Sequence, residues 1–167
     1  MPTGLKATSA SIEISFGVTE TAANTFTEEV VDLNLSPLDR EVFVVTSINL
    51  DPLPPDNIDN ANSRVNASLC STSQTAVRTL SSSNCFAVAN LYIRGSSLGA
   101  VAFATMAEQP PATLDYLGIL ATNDFFVQIA GDGNTGAKSV SGKMYGYRAR
   151  ATADIYAALV QSEVLSA

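Results

Sequence analysis

The residues that most often carry enzyme chemistry are scarce in this sequence. It contains no histidine, so the usual general base, the His-containing catalytic triads and most zinc sites are excluded. Glycoside hydrolysis needs only two carboxylates, but no sequence context marks such a pair, and tryptophan, common in sugar subsites, is absent. We therefore expect no enzyme, no catalytic residue and no cofactor.

The segment from Asp51 to Asn62 contains three prolines and predicts one long irregular connection. Its Asp and Asn side chains carry oxygens of the kind that bind calcium; they are Asp56, Asn57, Asp59, Asn60 and Asn62. These positions do not follow the EF-hand spacing, and Asp and Asn are common in turns. We assign no metal site, and calcium binding by this loop stays an alternative.

The two cysteines, Cys70 and Cys85, form no C-x-x-C motif and have no metal-ligand spacing. The residues from Met1 to Lys6 lack the apolar core of a secretory signal. Disulfides are characteristic of exported proteins, so we expect free thiols in strands, with a Cys70–Cys85 disulfide as the alternative.

The strongest local pattern runs from Asn123 to Arg150. An apolar run, Phe125–Ala130, is followed by the turn residues Gly131–Gly136 and by a second extended run, Ser139–Arg150. The glycine-rich stretch lacks the G-K-[ST] of a phosphate-binding loop. Two β-patterned runs around Gly, Asp and Asn predict a β-hairpin.

The return strand of this hairpin is the richest surface candidate, because four of the nine basic residues lie between Lys138 and Arg150. Strand alternation places Arg148 and Arg150 on one face and Tyr145 and Tyr147 on the other. Tyr and Arg are favoured anchors of protein interfaces. The candidate interface residues are Tyr145, Tyr147, Arg148, Arg150, Lys143 and Phe125. Alternatively, the tyrosines pack at a sheet edge and the arginines stay solvated.

Apolar alternation and β-branched runs predict further strands along the chain. They are Ile12–Val18, Thr25–Leu35, Glu41–Leu50, Arg64–Ser71, Ala76–Leu80, Cys85–Arg94 and Gly99–Met106. Between Ala151 and Val164 apolar residues recur at helical spacing, which predicts a short C-terminal helix, with a strand as the alternative. The pattern predicts an all-β fold over residues 1–167, a single jelly-roll-like sandwich of two antiparallel sheets.

Charge narrows the choice of partners. The net charge of −7 argues against direct contact with nucleic acid or with an anionic membrane surface, and no apolar window is long enough to span a membrane. Residues up to Asn62 carry ten acids and two bases, whereas the remainder carries six acids and seven bases. This asymmetry suits subunits that meet head to tail, and it equally suits an acidic surface that aids solubility.

The strand ladder of Ile12–Val18, Glu41–Leu50, Cys85–Arg94 and Phe125–Arg150, in a histidine-free chain rich in Ser, Thr, Ala and Asn, resembles virion proteins of the single jelly-roll type. The resemblance is one of architecture over the whole chain and includes no diagnostic motif. It implies a structural virion protein that self-assembles into a viral capsid or decorates one. Its partners would be copies of itself, as a homo-oligomer, and other virion proteins, with assembly in the host cytoplasm.

One departure from that resemblance concerns the N-terminus. Many coat proteins that package nucleic acid have a basic N-terminal arm, but here only Lys6 precedes Glu13. This favours a shell that does not touch the genome, or a decoration protein. The alternative function is a carbohydrate- or receptor-binding sandwich of a fibre or cell surface, with a shallow site near the 51–62 loop.

Overall fold

The computed structural model describes residues 3–96, 98–105 and 114–165. In these ranges ten strands form two five-stranded antiparallel sheets, and one helix follows the last strand. The predicted all-β class with a two-sheet antiparallel sandwich is confirmed. The jelly-roll comparison and the single-domain assignment remain predictions.

The first sheet, called sheet I, is organised around the longest strand of the chain. It consists of β1 (Leu5–Ala7), β2 (Ile12–Thr19), β4 (Glu41–Pro52), β8 (Gly118–Leu120) and β10 (Ser139–Ala151). One side of β10 pairs with β4, and its other side pairs first with β2 and then with β1. The strand β8 pairs with the far side of β4.

The second sheet, sheet II, has a simple linear order, β3-β9-β5-β6-β7. Its strands are β3 (Thr27–Asp32), β5 (Asn62–Cys70), β6 (Cys85–Ser96), β7 (Gly99–Thr105) and β9 (Asp124–Asp132). The strands β3 and β7 are therefore the two edges of this sheet among the described residues.

The main core lies between the two sheets and follows from strand alternation, because every second side chain points inward. Phe43 and Ile48 of β4 and the fully buried Val127 and Ile129 of β9 belong to this core. The rings of Phe16 and Phe125 meet edge to face, with centroids 5.5 Å apart. Burial of this apolar surface holds the sheets together.

The predicted hairpin between residues 123 and 150 is wrong. The strand β9 pairs with β3 and β5 in sheet II, whereas β10 pairs with β1, β2 and β4 in sheet I. The carboxylate of Glu20 bridges the ends of the two strands, accepting hydrogen bonds from the Gly131 N–H (2.6 Å) and the Lys138 N–H (2.8 Å). The glycine-rich turn is thus a corner from one sheet to the other.

The C-terminal segment forms the helix α1 (Ala153–Leu165), which confirms the predicted helix and excludes the alternative strand. The Thr152 carbonyl accepts the first helical hydrogen bond, from the Tyr156 N–H at 2.9 Å, and Asp154 lies in the first turn, where a negative charge is favourable. Apolar side chains of α1, among them Ile155 and Leu159, cover the outer face of sheet I in a second, smaller cluster.

Two features of the structure differ from the sequence prediction. The predicted strand at Ala76–Leu80 is absent, because residues 71–84 form bends, turns and irregular backbone with local bonds such as Arg78 Nε to Gln74 Oε1 at 2.5 Å. The irregular connection begins only after Pro52, which still pairs with Val140 at the end of β4. Met106, the last residue of the predicted strand 99–106, lies outside the described residues.

Candidate interaction surface

The basic residues predicted for an interface are largely engaged within the chain itself. The half-buried Arg148 donates to the carbonyl oxygens of Leu33 (2.8 Å) and Asn34 (3.0 Å) and pairs with Glu41 at 3.0 Å. Arg148, which belongs to sheet I, therefore holds the segment that follows β3 of sheet II.

The two other basic side chains make exposed ion pairs. Lys143 lies 3.2 Å from Glu13, and Arg150 lies 3.3 Å from Asp39. Exposed pairs of this kind contribute little to stability, so they leave both side chains available to a partner. A role for Lys143, Arg148 and Arg150 in an interface stays a prediction.

The aromatic residues of the same prediction are divided between two environments. Tyr145 is half-buried, and Tyr147 packs beside the cluster beneath α1, where burial raises the pKa of its hydroxyl. Phe125 is fully buried in the main core against Phe16. Its ring therefore supports the core and has no exposed surface for a partner, unlike the other five candidates.

The loop predicted as a calcium-binding alternative is bound to the corner turn instead. Asp56 pairs with Lys138 at 2.5 Å and accepts hydrogen bonds from the N–H (2.9 Å) and hydroxyl (2.7 Å) of Thr135. These contacts, Lys138 first, hold the pKa of Asp56 well below its usual range. Within the described residues no group of three or more potential metal ligands is found.

A surface that the sequence prediction did not single out lies at the β7 edge of sheet II. Every residue of β7 from Gly99 to Ala104 is exposed, including the side chains of Val101 and Phe103, with exposed fractions of 57% and 53%. Leu98, before β7, is 98% exposed. This strand is apolar on both faces, and among the described strands only β6 pairs with it. Edge strands of natural proteins are commonly protected by charge, proline or a cover.

The outer face of β6, beside β7, adds aromatic and basic groups to this surface. Tyr92 is the register partner of both Arg64 and Phe103, so the three side chains form a row across three strands. Two shallow hollows of about 270 and 370 Å³ share Tyr92 and Arg94. We call the set Arg64, Tyr92, Arg94, Val101 and Phe103 the β6–β7 face.

The two arginines of the β6–β7 face differ in their ion pairing among the described residues. Arg64 pairs with Asp132 at 3.1 Å, with both side chains well exposed. Arg94 makes no ion pair or side-chain hydrogen bond with any residue that the structure describes. The sequence indicates this surface only by its low charge, since one charged residue lies between Cys85 and Thr105. A linear pattern does not reveal which strand becomes an edge.

The two cysteines are cross-strand neighbours on β5 and β6, where one extra residue, Phe86, shifts the register. Both are free thiols, as expected, with Cys70 buried and Cys85 half-buried. The hydrogen bond between them raises the pKa of Cys70, to which burial also contributes, and lowers the pKa of Cys85.

Comparisons with known proteins leave the family of this chain open. No family model matches the sequence, and no curated protein matches it. A solved structure of Desmodium yellow mottle tymovirus is similar over 86% of this chain and 90% of that chain, at 12% sequence identity and a TM-score of 0.34. No helix among the described residues is long and apolar enough to cross a membrane.

Proposed function

We propose that this chain is a structural virion protein that associates with copies of itself, as part of a capsid shell or as a protein that decorates one. The observation that carries self-association is the β7 edge, where a strand paired on one side only among the described strands exposes apolar side chains on both faces. Contiguous exposed apolar surface of this kind is typical of interaction sites. The virion role itself rests on the architectural resemblance of the sequence.

The surface composition supports association as well. Only 15% of all residues are charged, so much of the polar surface is Ser, Thr, Asn and backbone. Such groups are desolvated at lower cost than Lys or Glu side chains when two subunits meet. The β6–β7 face combines this weakly charged surface with Tyr and Arg, the residues enriched at the centres of interfaces.

The test is the mass of the protein in solution, measured by light scattering after size exclusion over a range of concentrations. We expect the wild type to form a defined oligomer or larger particle. Phe103→Lys should shift the protein to monomer, since a lysine at the centre of the contact is costly to desolvate. Leu38→Lys is the matched control, because Leu38 is 95% exposed on a turn away from this face.

A wild type that stays monomeric at all concentrations would overturn self-association. Electron microscopy of the oligomeric fraction separates a closed shell from a small ring or trimer. Closed particles support the shell role, and a small oligomer that binds to a separate capsid supports the decorating role.

A carbohydrate- or receptor-binding module is the second candidate, and the hollows beside Tyr92 favour it. Aromatic faces and polar side chains are a common combination in ligand sites. The Asn66 Oδ1 oxygen, two residues from Arg64 along β5, is buried and accepts no hydrogen bond from the described residues. This function would be supported over the first if a monomeric wild type bound to a glycan array and Tyr92→Ala abolished that binding.

A further inference from the structure

We propose that the β7 edge of one copy pairs with the β3 edge of a second copy, so that sheet II continues from subunit to subunit. This inference rests on the proposed self-association and identifies β3 of the second copy as the surface that the β6–β7 face contacts. Each of the two edges of sheet II pairs on one side only among the described strands, and the charges beside the two edges are opposite in sign.

The β7 edge presents backbone groups and apolar side chains together. The strand pairs with β6 on one side only, and no described strand pairs with its other side. Val101 and Phe103 are exposed on one face of the strand, and Ala100, Ala102 and Ala104 on the other. The unpaired N–H and C=O groups of such an edge form a template for another strand.

The β3 edge has the complementary chemistry. The strand pairs with β9 on one side only, again with no described strand on the other. Val31 packs against the main core, so Val30 points outward, where it is 52% exposed. Asp32 shares its face, and Glu29, on the opposite face, is exposed too. The strand β3 itself contains three acids, Glu28, Glu29 and Asp32, and no base.

Charge favours β7 against β3 over symmetric pairing of like edges. Two β7 edges would bring two Arg94 side chains onto one continuous face, and two β3 edges would join two acidic strands. In the β7–β3 contact Arg94 lies two strands, about 10 Å, from the acidic strand of the second copy. An arginine and a carboxylate side chain together cover that distance, while Val30 packs near Val101 and Phe103.

A contact between two different edges has a consequence for assembly. Each copy would offer one β7 edge and one β3 edge. An open chain of copies would therefore always end in one free β7 edge and one free β3 edge. Head-to-tail contacts of this kind produce rings when the rotation closes and filaments when it does not. The acidic first part of the chain and the nearly neutral remainder would then meet at each interface.

Two edge-blocked variants test the proposal. Phe103→Lys blocks the β7 edge and keeps β3 intact, whereas Val30→Lys blocks β3 and keeps β7 intact. Each replaces an exposed side chain, and circular dichroism with thermal unfolding confirms that both fold. We expect each variant alone to be monomeric and an equimolar mixture to form one heterodimer and nothing larger, measured by light scattering.

The possible results separate the two proposals. If the wild type itself is monomeric, self-association fails. If the wild type associates and Val30→Lys associates equally well, the β3 assignment fails while self-association stands. Arg94→Glu, introduced into the Val30→Lys partner, should weaken the heterodimer by about tenfold or more, and Arg94→Lys should largely preserve it. An unchanged dissociation constant for Arg94→Glu would remove the charge argument.

Discussion

The ring of Phe43 occupies the space that a side chain at position 146 would need. A Cβ atom added to Gly146 would lie 2.5 Å from Cε1 of Phe43 and closer still to the carbonyl oxygen of Val44. The two residues are brought together by a bulge at Thr46, which shifts the register of β4 against β10 beside Gly146. The Thr46 hydroxyl donates to the Tyr145 carbonyl at 3.1 Å and fixes this shift.

Gly146→Ala should therefore destabilise the protein by about 1–3 kcal/mol, the usual cost of overpacking a well-packed core. Urea unfolding followed by circular dichroism measures this as a lower midpoint. Gly136→Ala is the matched control, because no atom lies within 4 Å of a Cβ added there. Equal midpoints for the two variants would contradict the close packing of Phe43 on Gly146.

Most strands were predictable because their signal is local. The alternation of Ile12, Ile14 and Phe16 and the β-branched run from Glu41 to Leu50 both became strands close to the predicted bounds. Strand partners were not predictable, because turn chemistry alone does not state whether a chain returns beside itself or crosses to another sheet. The 131–136 turn crosses to the other sheet, and the N–H groups of Gly131 and Lys138 at its two ends donate to Glu20, which lies over a hundred residues away in sequence.

The candidate site shows the same limit. Arginines on β10 suggest a surface role, but the contact of Arg148 with Leu33 and Asn34 depends on where a distant segment docks. The sequence suggests Phe125 as an interface anchor, but in the sandwich its side chain is fully buried. Conversely, the alternation of Val101 and Phe103 resembles that of a half-buried strand, and only the position of β7 at an edge makes it a candidate surface.

The Asp56–Lys138 pair predicts a specific loss of stability in acid. Because the folded-state pKa of Asp56 lies below the value of about 3.9 for an unfolded Asp, its contribution is present above that pH and is lost as the pH falls toward the folded-state pKa. Asp56→Asn should lower Tm at pH 7, and it should lower Tm by a smaller amount at pH 2.5, where the carboxyl of the unfolded chain is already protonated. Asp59→Asn, exposed in the same loop, should lower Tm little at either pH, and a pH-independent effect of Asp56→Asn would contradict the assignment.

The hydrogen bond between the two free thiols predicts that they react with an alkylating reagent at different rates. Cys85 is half-buried and its pKa is lowered, chiefly by the hydrogen bond from Cys70, so it should react with iodoacetamide before the buried Cys70. Peptide mass spectrometry locates the label, and unfolded protein should label at both sites at similar rates. Cys70→Ala should slow the labelling of Cys85 at pH 7, because it removes the hydrogen-bond donor. Faster labelling of Cys70 in the folded wild type would contradict this arrangement.

The helix α1 is fastened to sheet I by Glu163, whose buried carboxylate accepts hydrogen bonds from the N–H groups of Ala121 (2.9 Å) and Thr122 (2.8 Å). Glu163→Gln replaces one acceptor by an amide N–H₂ group, so a buried N–H loses its partner at a cost of about 1–3 kcal/mol. Hydrogen exchange should accelerate in α1 and around residue 121 more than in β5 or β9, since α1 packs outside the main core. The exposed neighbour Gln161→Ala serves as the control. Uniform acceleration across all strands would instead show that the helix and the sandwich unfold as one unit.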